Sequence, residues 1–213
     1  IRWLRSTEPD TLASRSTAIG GSAVAEAAER LVETAGAVAG AWMQAPACEV
    51  AVRYAAPDEA WASGACVASV SIDRETGVPT VERIVWVDDA GTVVNPMLVD
   101  GQMRGGLAQG IGEALMERVV YDAQGQLLTG SLMDYAVPRA ADIPPATFVS
   151  CPTPSTANRL GAKGVGEAGC IGVPAAVANA VLDALAPYGI EHIDMPLTAQ
   201  KIWRVMQDRE SER

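Results

Sequence analysis

A chain of 213 residues is long enough to bury a substantial core, as one large domain or two small ones. Half its residues are hydrophobic and few are aromatic, which argues against disorder and favours close backbone packing over bulky side chains. The net charge is −10 with no basic run, which argues against nucleic acid and anionic membrane surfaces as partners.

The chain opens Ile1-Arg2-Trp3, and its first ten residues read as the tail of something longer: a fragment, a processed product or a separate subunit. A helix is predicted over about 21–39. Val24, Ala27, Ala28, Leu31, Val32 and Ala35 fall at helical spacing, with Glu26, Glu29, Arg30 and Glu33 opposite. A less regular stretch follows, with Pro46 and Pro57 as breakers. Two strands, 65–72 and 81–87, are joined by the turn Asp73-Arg74-Glu75-Thr76-Gly77 into a hairpin. A second helix is predicted over about 99–116, and another hairpin around 122–125. The proline-rich passage 138–154 carries one short strand near 147–150. After a glycine-rich loop, 161–172, Pro174 suits the first position of a third helix with Val177, Val181, Leu182 and Leu185 as its buried face. A short strand near 190–193 and a last helix from Thr198 complete a mixed α+β class.

Cys48, Cys66, Cys151 and Cys170 form no C-x-x-C pair, and His192 is the only histidine. This argues against a zinc or iron–sulfur site built from this chain alone, and no metal ligand is assigned. The cysteine spacing offers no disulfide framework, so a reducing cytoplasm is the expected compartment. No apolar run approaches the roughly 20 residues that span a bilayer.

Three segments carry chemical information. The predicted second helix holds Gly101, Gly105, Gly106, Gly110 and Gly112, each costing about 1 kcal/mol relative to alanine. Either the helix packs tightly against a neighbour or a ligand lies along its start, where free N–H groups favour phosphates. The loop Gly161-Ala162-Lys163-Gly164-Val165-Gly166-Glu167-Ala168-Gly169-Cys170-Ile171-Gly172 formally contains G-x-G-x-x-G. A dinucleotide fingerprint needs a strand before it and a helix opening within it, and neither is expected here. The glycines around Glu167 fit a backbone folded closely about a ligand, where a crowded carboxylate suits general-base work; a surface glutamate in a flexible loop is the plain alternative. Ser14-Arg15-Ser16-Thr17-Ala18-Ile19-Gly20-Gly21-Ser22 either caps the first helix or binds a polar heterocycle or phosphate.

Together and in this order, the segments resemble the molybdopterin-binding subunits of the xanthine dehydrogenase/aldehyde oxidase/carbon monoxide dehydrogenase family. Ser14-Arg15-Ser16-Thr17 with Gly20-Gly21 is similar to the family's serine-rich pterin-binding stretch. Asn95-Pro96, Gly101-Gln102, Gly105-Gly106 and Gln109-Gly110-Ile111-Gly112 resemble its second cofactor segment, with Gln109 at the position of a pterin-bonding glutamine. Gly164-Val165-Gly166-Glu167-Ala168-Gly169 looks like the loop that bears the glutamate beside molybdenum, and Asp194-Met195-Pro196-Leu197-Thr198 through Ile202-Trp203 is similar to the family's C-terminus.

The resemblance implies that the whole chain, 1–213, is the second, C-terminal molybdopterin-binding domain, a mixed sheet and hairpins with packed helices. It implies Glu167 as catalytic base, and Ser14, Arg15, Ser16, Gln109, Lys163, Gly164 and Gly166 as cofactor contacts. The implied cofactor is molybdopterin in its cytosine dinucleotide form. The implied reaction oxidises an aldehyde or N-heterocycle with water-derived oxygen, electrons passing to Fe–S and FAD partners. A non-catalytic cofactor-binding or assembly module of the same fold is the alternative. The chain is shorter than the family pattern between about 40 and 60, and lacks the upstream segment that supplies further pterin contacts and much of the substrate pocket. Inactivity of this chain alone is therefore expected.

Overall fold

The computed structural model describes residues 14–35 and 49–211. The predicted first helix is α1, Ser22–Ala35, entered through a π-helical turn, Ser16–Gly21. Residues 36–39 of the prediction lie outside the described residues. Ser22 Oγ donates to the Ala18 carbonyl (2.6 Å), tying turn to helix. The apolar face expected of α1 is not buried: Ala27 is, but Val24 and Val32 are exposed.

The predicted hairpin is β1 (Ser63–Ile72) and β2 (Pro79–Asp89), antiparallel, with a register shift at Ser69/Val70. Asp73 shapes the turn by accepting from the backbone N–H groups of Glu75 and Thr76 (2.8 and 2.9 Å). The predicted short strand is β3, Ala146–Ser150, which runs parallel to β2 and completes the order β1-β2-β3. The second predicted hairpin is reduced to one bridge, Tyr121 to Leu127, over a turn built on the Asp122 side chain.

Helix α2, Pro96–Leu115, starts three residues before its predicted position because Asn95 caps it, accepting from Met97 and Leu98 N–H, and Pro96 suits the first turn. Helix α3, Ala168–Leu185, starts six residues earlier than expected, so Pro174 lies inside it. Pro174 removes one backbone bond, to the Cys170 carbonyl, and tertiary packing of the apolar face outweighs that loss. Val177, Val181 and Leu185 are buried as expected, with Leu182 half-buried. With the 3₁₀ turn Ala186–Tyr188, α3 is long and apolar enough by composition to cross a membrane, which corrects the reading that no such run exists. Here it is a core helix packed on β1 and α2. The strand predicted at 190–193 is absent: Ile190 and Ile193 turn into the core, and the backbone joins no sheet edge. Helix α4, Ala199–Ser211, matches the predicted last helix and seats Ile202 and Met206 in the core beside Leu197.

Two glycines set the approach of α2 and α3. A Cβ on Gly169 would fall 2.5 Å from the Gly106 Cα, a separation that real side chains do not adopt. The glycines of α2 therefore divide. Gly106 and Gly110 admit α3, while Gly101 and Gly105 face open space.

Candidate active site

A cavity of about 800 Å³, within the range of small-molecule sites, lies between the π-helical turn, the irregular segment 53–62, the sheet and the start of α3. Its sheet wall includes, beside Ser63 and Ala65, two opposed pairs: Gly64 with Asp88, and Cys66 with Trp86. Cross-strand partners share a face, so these four residues look the same way, toward α3. Burial pushes the Cys66 thiol above its ordinary pKa, so it meets the cavity as a neutral group.

The opposite wall comes from two segments far apart in sequence. Ser14 and Arg15 enter from the π-helical turn, and Gly164 and Glu167 from the glycine-rich loop. Ser14 has φ 55°, a left-handed conformation that a serine adopts at a cost and that is found at ligand sites. Tyr54 Oη accepts from the Arg159 N–H (3.3 Å), and Arg159 pairs with Glu29 of α1, which ties the 53–62 wall and α1 to the same loop.

On the other face of the sheet, Asp89 holds that loop. Its carboxylate receives Lys163 Nζ (2.7 Å), the Gly91 N–H (2.9 Å), the Thr153 N–H (2.9 Å) and the Thr153 hydroxyl. Burial works to raise the Asp89 pKa, but these four donors outweigh it and hold the carboxyl well below the usual carboxylate range. Backbone bonds reinforce the clamp, with Lys163 N–H donating to the Ala90 carbonyl (2.9 Å) and Thr92 N–H to the Gly161 carbonyl (2.8 Å).

Of the residues singled out in the sequence, the structure thus gathers Ser14, Arg15, Gly164 and Glu167 at one cavity. Gly166 sits just behind it. Ser16 is exposed on the π-helical turn, and Gln109 is exposed on α2; neither lines the cavity. Lys163 does not line it either, because its ammonium is engaged by Asp89 and Thr153 (2.8 Å). Glu167 is exposed at the rim, so the described residues do not supply the crowding expected around it. The helix does open inside the G-x-G-x-x-G motif, but residues 151–160 before it form no strand, and the dinucleotide reading fails on that ground.

Two residues were missed. Gln102 lies on the same face of α2 as Gln109, seven residues and two turns away, and its Oε1 approaches Gly166: a Cβ there would meet it at 3.2 Å and Ser14 Oγ at 2.8 Å. Asp88, buried at the end of β2, is the other. Its signal was the Asp88-Asp89 pair closing an apolar strand, since alternation must turn one of two adjacent acids inward.

Known proteins point the same way. The molybdopterin cofactor-binding domain family matches residues 48–144. The carbon monoxide dehydrogenase large chain of Hydrogenophaga pseudoflava is 38% identical over 163 residues, 76% of this chain and 20% of that protein. The nicotine 6-hydroxylase large subunit of Paenarthrobacter nicotinovorans is 44% identical over 135 residues, 63% of this chain and 16% of its own length. Among solved structures, the carbon monoxide-reduced Cu,Mo-CO dehydrogenase superposes with a TM-score of 0.71 at 37% identity, covering 74% of this chain and 20% of that one. Quinoline 2-oxidoreductase from Pseudomonas putida 86 gives 0.63 at 45% identity, covering 66% and 18%. The chain spans about one fifth of the length of the relatives it matches. With its mixed sheet, its packed helices and these similarities, this chain belongs to the molybdopterin-binding subunits of the molybdenum hydroxylase family.

Proposed function

We propose that the cavity is part of the active centre of a molybdenum hydroxylase that oxidises an aldehyde or N-heterocycle with oxygen from water, and that Glu167 is its proton acceptor. The observation that carries this reading is convergence: Ser14 and Arg15 from one end of the chain meet Gly164 and Glu167 from the other at one cavity.

The residues present fit a molybdopterin. Gly166 is a position that a side chain would fill against Ser14 Oγ and Gln102 Oε1, so the loop, the π-helical turn and α2 meet around bare backbone. The Ser14 hydroxyl and the Gln102 amide meet at that backbone, with Arg15 on the adjoining cavity wall, and these groups suit a polar heterocycle. Among the described residues no cluster of histidine, cysteine or carboxylate side chains could itself hold a metal. When bound, the molybdenum centre supplies a two-electron acceptor and acidifies water. Ser14, Arg15 and Gln102 would hold the pterin, with Gly164 and Gly166 admitting it to the backbone; Ser16 and Gln109 rest on family resemblance alone. The cytosine dinucleotide form rests on family resemblance alone, because Asn95 and Pro96 leave no free N–H group in the first turn of α2.

Glu167, at the rim and preceding the first turn of α3, can take a proton at the reacting centre and return it to solvent. A chain one fifth of the relatives' length leaves the rest of the cradle, and the Fe–S and FAD groups that carry electrons away, to an upstream segment and to partner subunits or domains. Glu167→Gln in the full-length protein tests the assignment. Turnover is expected to fall by about a thousandfold or more, with molybdenum and pterin content near that of the parent. Turnover within about tenfold of the parent would overturn the role of Glu167.

A further inference from the structure

Asp88 is an acid that neither the loop clamp nor the proton transfer uses. It shares its sheet face with Ile84 and Trp86 and is only 4% exposed. Across the ladder stands Gly64, which has no side chain to cover it. Among the described residues no donor reaches its carboxyl: Lys163 and Thr153 serve Asp89 on the opposite face. No side-chain oxygen among the described residues is both sealed from solvent and unpaired. The carboxyl of Asp88 therefore keeps its remaining access through the cavity it lines. A buried carboxyl without a partner is costly, and among the described residues the space open to a partner is that cavity.

We propose that Asp88 is a ligand-binding residue that holds the edge of a planar nitrogen heterocycle, where a hydrogen-bond acceptor and an N–H lie side by side, through two hydrogen bonds. This rests on the reading of the cavity as a cofactor and substrate site. The two coplanar oxygens of a carboxyl match two adjacent polar atoms of such a ring, whereas an aldehyde offers a single acceptor. Asp88 itself would repel an anionic group brought against this wall. One carboxyl oxygen would face the ring acceptor, sharing a proton with it, while the other accepts from the neighbouring N–H; burial first, and then Asp89, push the Asp88 pKa upward, the direction that favours such sharing. The Trp86 indole on the same wall gives a flat ring an apolar neighbour.

Two sources offer this chemistry, the aminopyrimidine part of the cofactor and a heterocyclic substrate. The full-length protein and its Asp88→Leu and Asp88→Asn variants are titrated with 6-methylpterin, 2-hydroxypyridine and benzaldehyde, following tryptophan fluorescence. Retained cofactor and unfolding by urea are measured alongside. Asp88→Leu is expected to weaken one heterocycle by about tenfold to one-hundredfold while benzaldehyde changes less than about twofold. The stability of the unliganded protein should hold or rise, because an unpaired buried acid has been removed; a structural role would lower it. Loss of 6-methylpterin binding together with a fall in cofactor content assigns Asp88 to the cofactor. Loss of 2-hydroxypyridine binding at full cofactor content assigns it to the substrate. If Asp88→Leu does not fold, Asp88→Asn, of the same shape, provides the same comparison with a smaller loss. Binding of both heterocycles within about twofold of the parent, or no binding by the parent itself, overturns the proposal. A parent that binds 2-hydroxypyridine through Asp88 but contains no molybdenum or pterin would refute the proposed function and leave Asp88 standing.

Discussion

Replacing Lys163 with methionine separates a clamp from a cofactor contact. Lys163 Nζ lies 2.7 Å from Asp89 Oδ2 and 2.8 Å from Thr153 Oγ1, with the two charged side chains 11% and 10% exposed. Methionine keeps most of the stem volume and removes only the charge. Breaking a buried pair from one side costs about 3–5 kcal/mol. The lower end, about 3 kcal/mol, applies here, because Asp89 keeps its bonds from Gly91, Thr153 N–H and the Thr153 hydroxyl. In a domain of this size that lowers the thermal midpoint by roughly 6–12 °C. The pH dependence has a definite sign. Asp89 is held below the pKa it has when unfolded, about 3.9, so its contribution is fully present above that value and is lost as pH falls toward the folded one. Lys163→Met should therefore flatten the acid limb of the stability profile, and the double variant with Asp89→Asn should recover part of the loss, because no charge is left buried alone. Urea unfolding of the four members of the cycle between pH 3 and pH 7 measures both effects. A loss under about 1 kcal/mol with cofactor content reduced would refute the clamp and return Lys163 to the cofactor.

Gln102→Ala should lower retained pterin more than Gln109→Ala, since Gln102 is the amide beside Gly166; release and quantification of pterin from both variants decides it, and a larger loss for Gln109→Ala would favour the family position over the geometry. Gly169→Ala should cost more than about 2 kcal/mol by forcing α2 and α3 apart, whereas Gly105→Ala, with open space at its Cβ, should stabilise α2 by up to about 1 kcal/mol. Urea unfolding measures both, and equal effects would show that the helix contact is more compliant than its geometry.

What could be read in the sequence follows the range of the forces involved. The β1–β2 hairpin was legible because alternation and the Asp73 turn are local. The start of α3 was not: Pro174 is a strong local mark for a first turn, yet the helix runs through it because Val173, Val177, Val181 and Leu185 gain more by packing than one missing bond costs. Ile190 and Ile193 suggested a strand, but a strand needs a free sheet edge at the right place, which no local pattern reports. The partner of Lys163 lies 74 positions earlier, so the sequence offered a cation in a glycine loop without its anion. The α2 glycines posed a choice between packing and ligand approach, and the structure divides them: Gly106 and Gly110 pack, while Gly101 and Gly105 stay open.

The two acids at the end of β2 show how one strand can serve both halves of a site. Alternation sends Asp89 to one face and Asp88 to the other. Asp89, fully supplied with donors, stays ionised and fixes Gly161 to Lys163 against the end of the strand. Three residues of loop then lead to Glu167 and the first turn of α3, which Gly169 seats on α2. Asp88, with no donor among the described residues, faces the cavity that Glu167 enters from its rim. The position of Glu167 relative to Asp88 is therefore set by a short rigid path through the strand end, the clamp and the helix start. A change at Lys163 should disturb the registration of both acids about the cavity without touching either, which is why cofactor content and stability have to be measured together to tell a clamp from a contact.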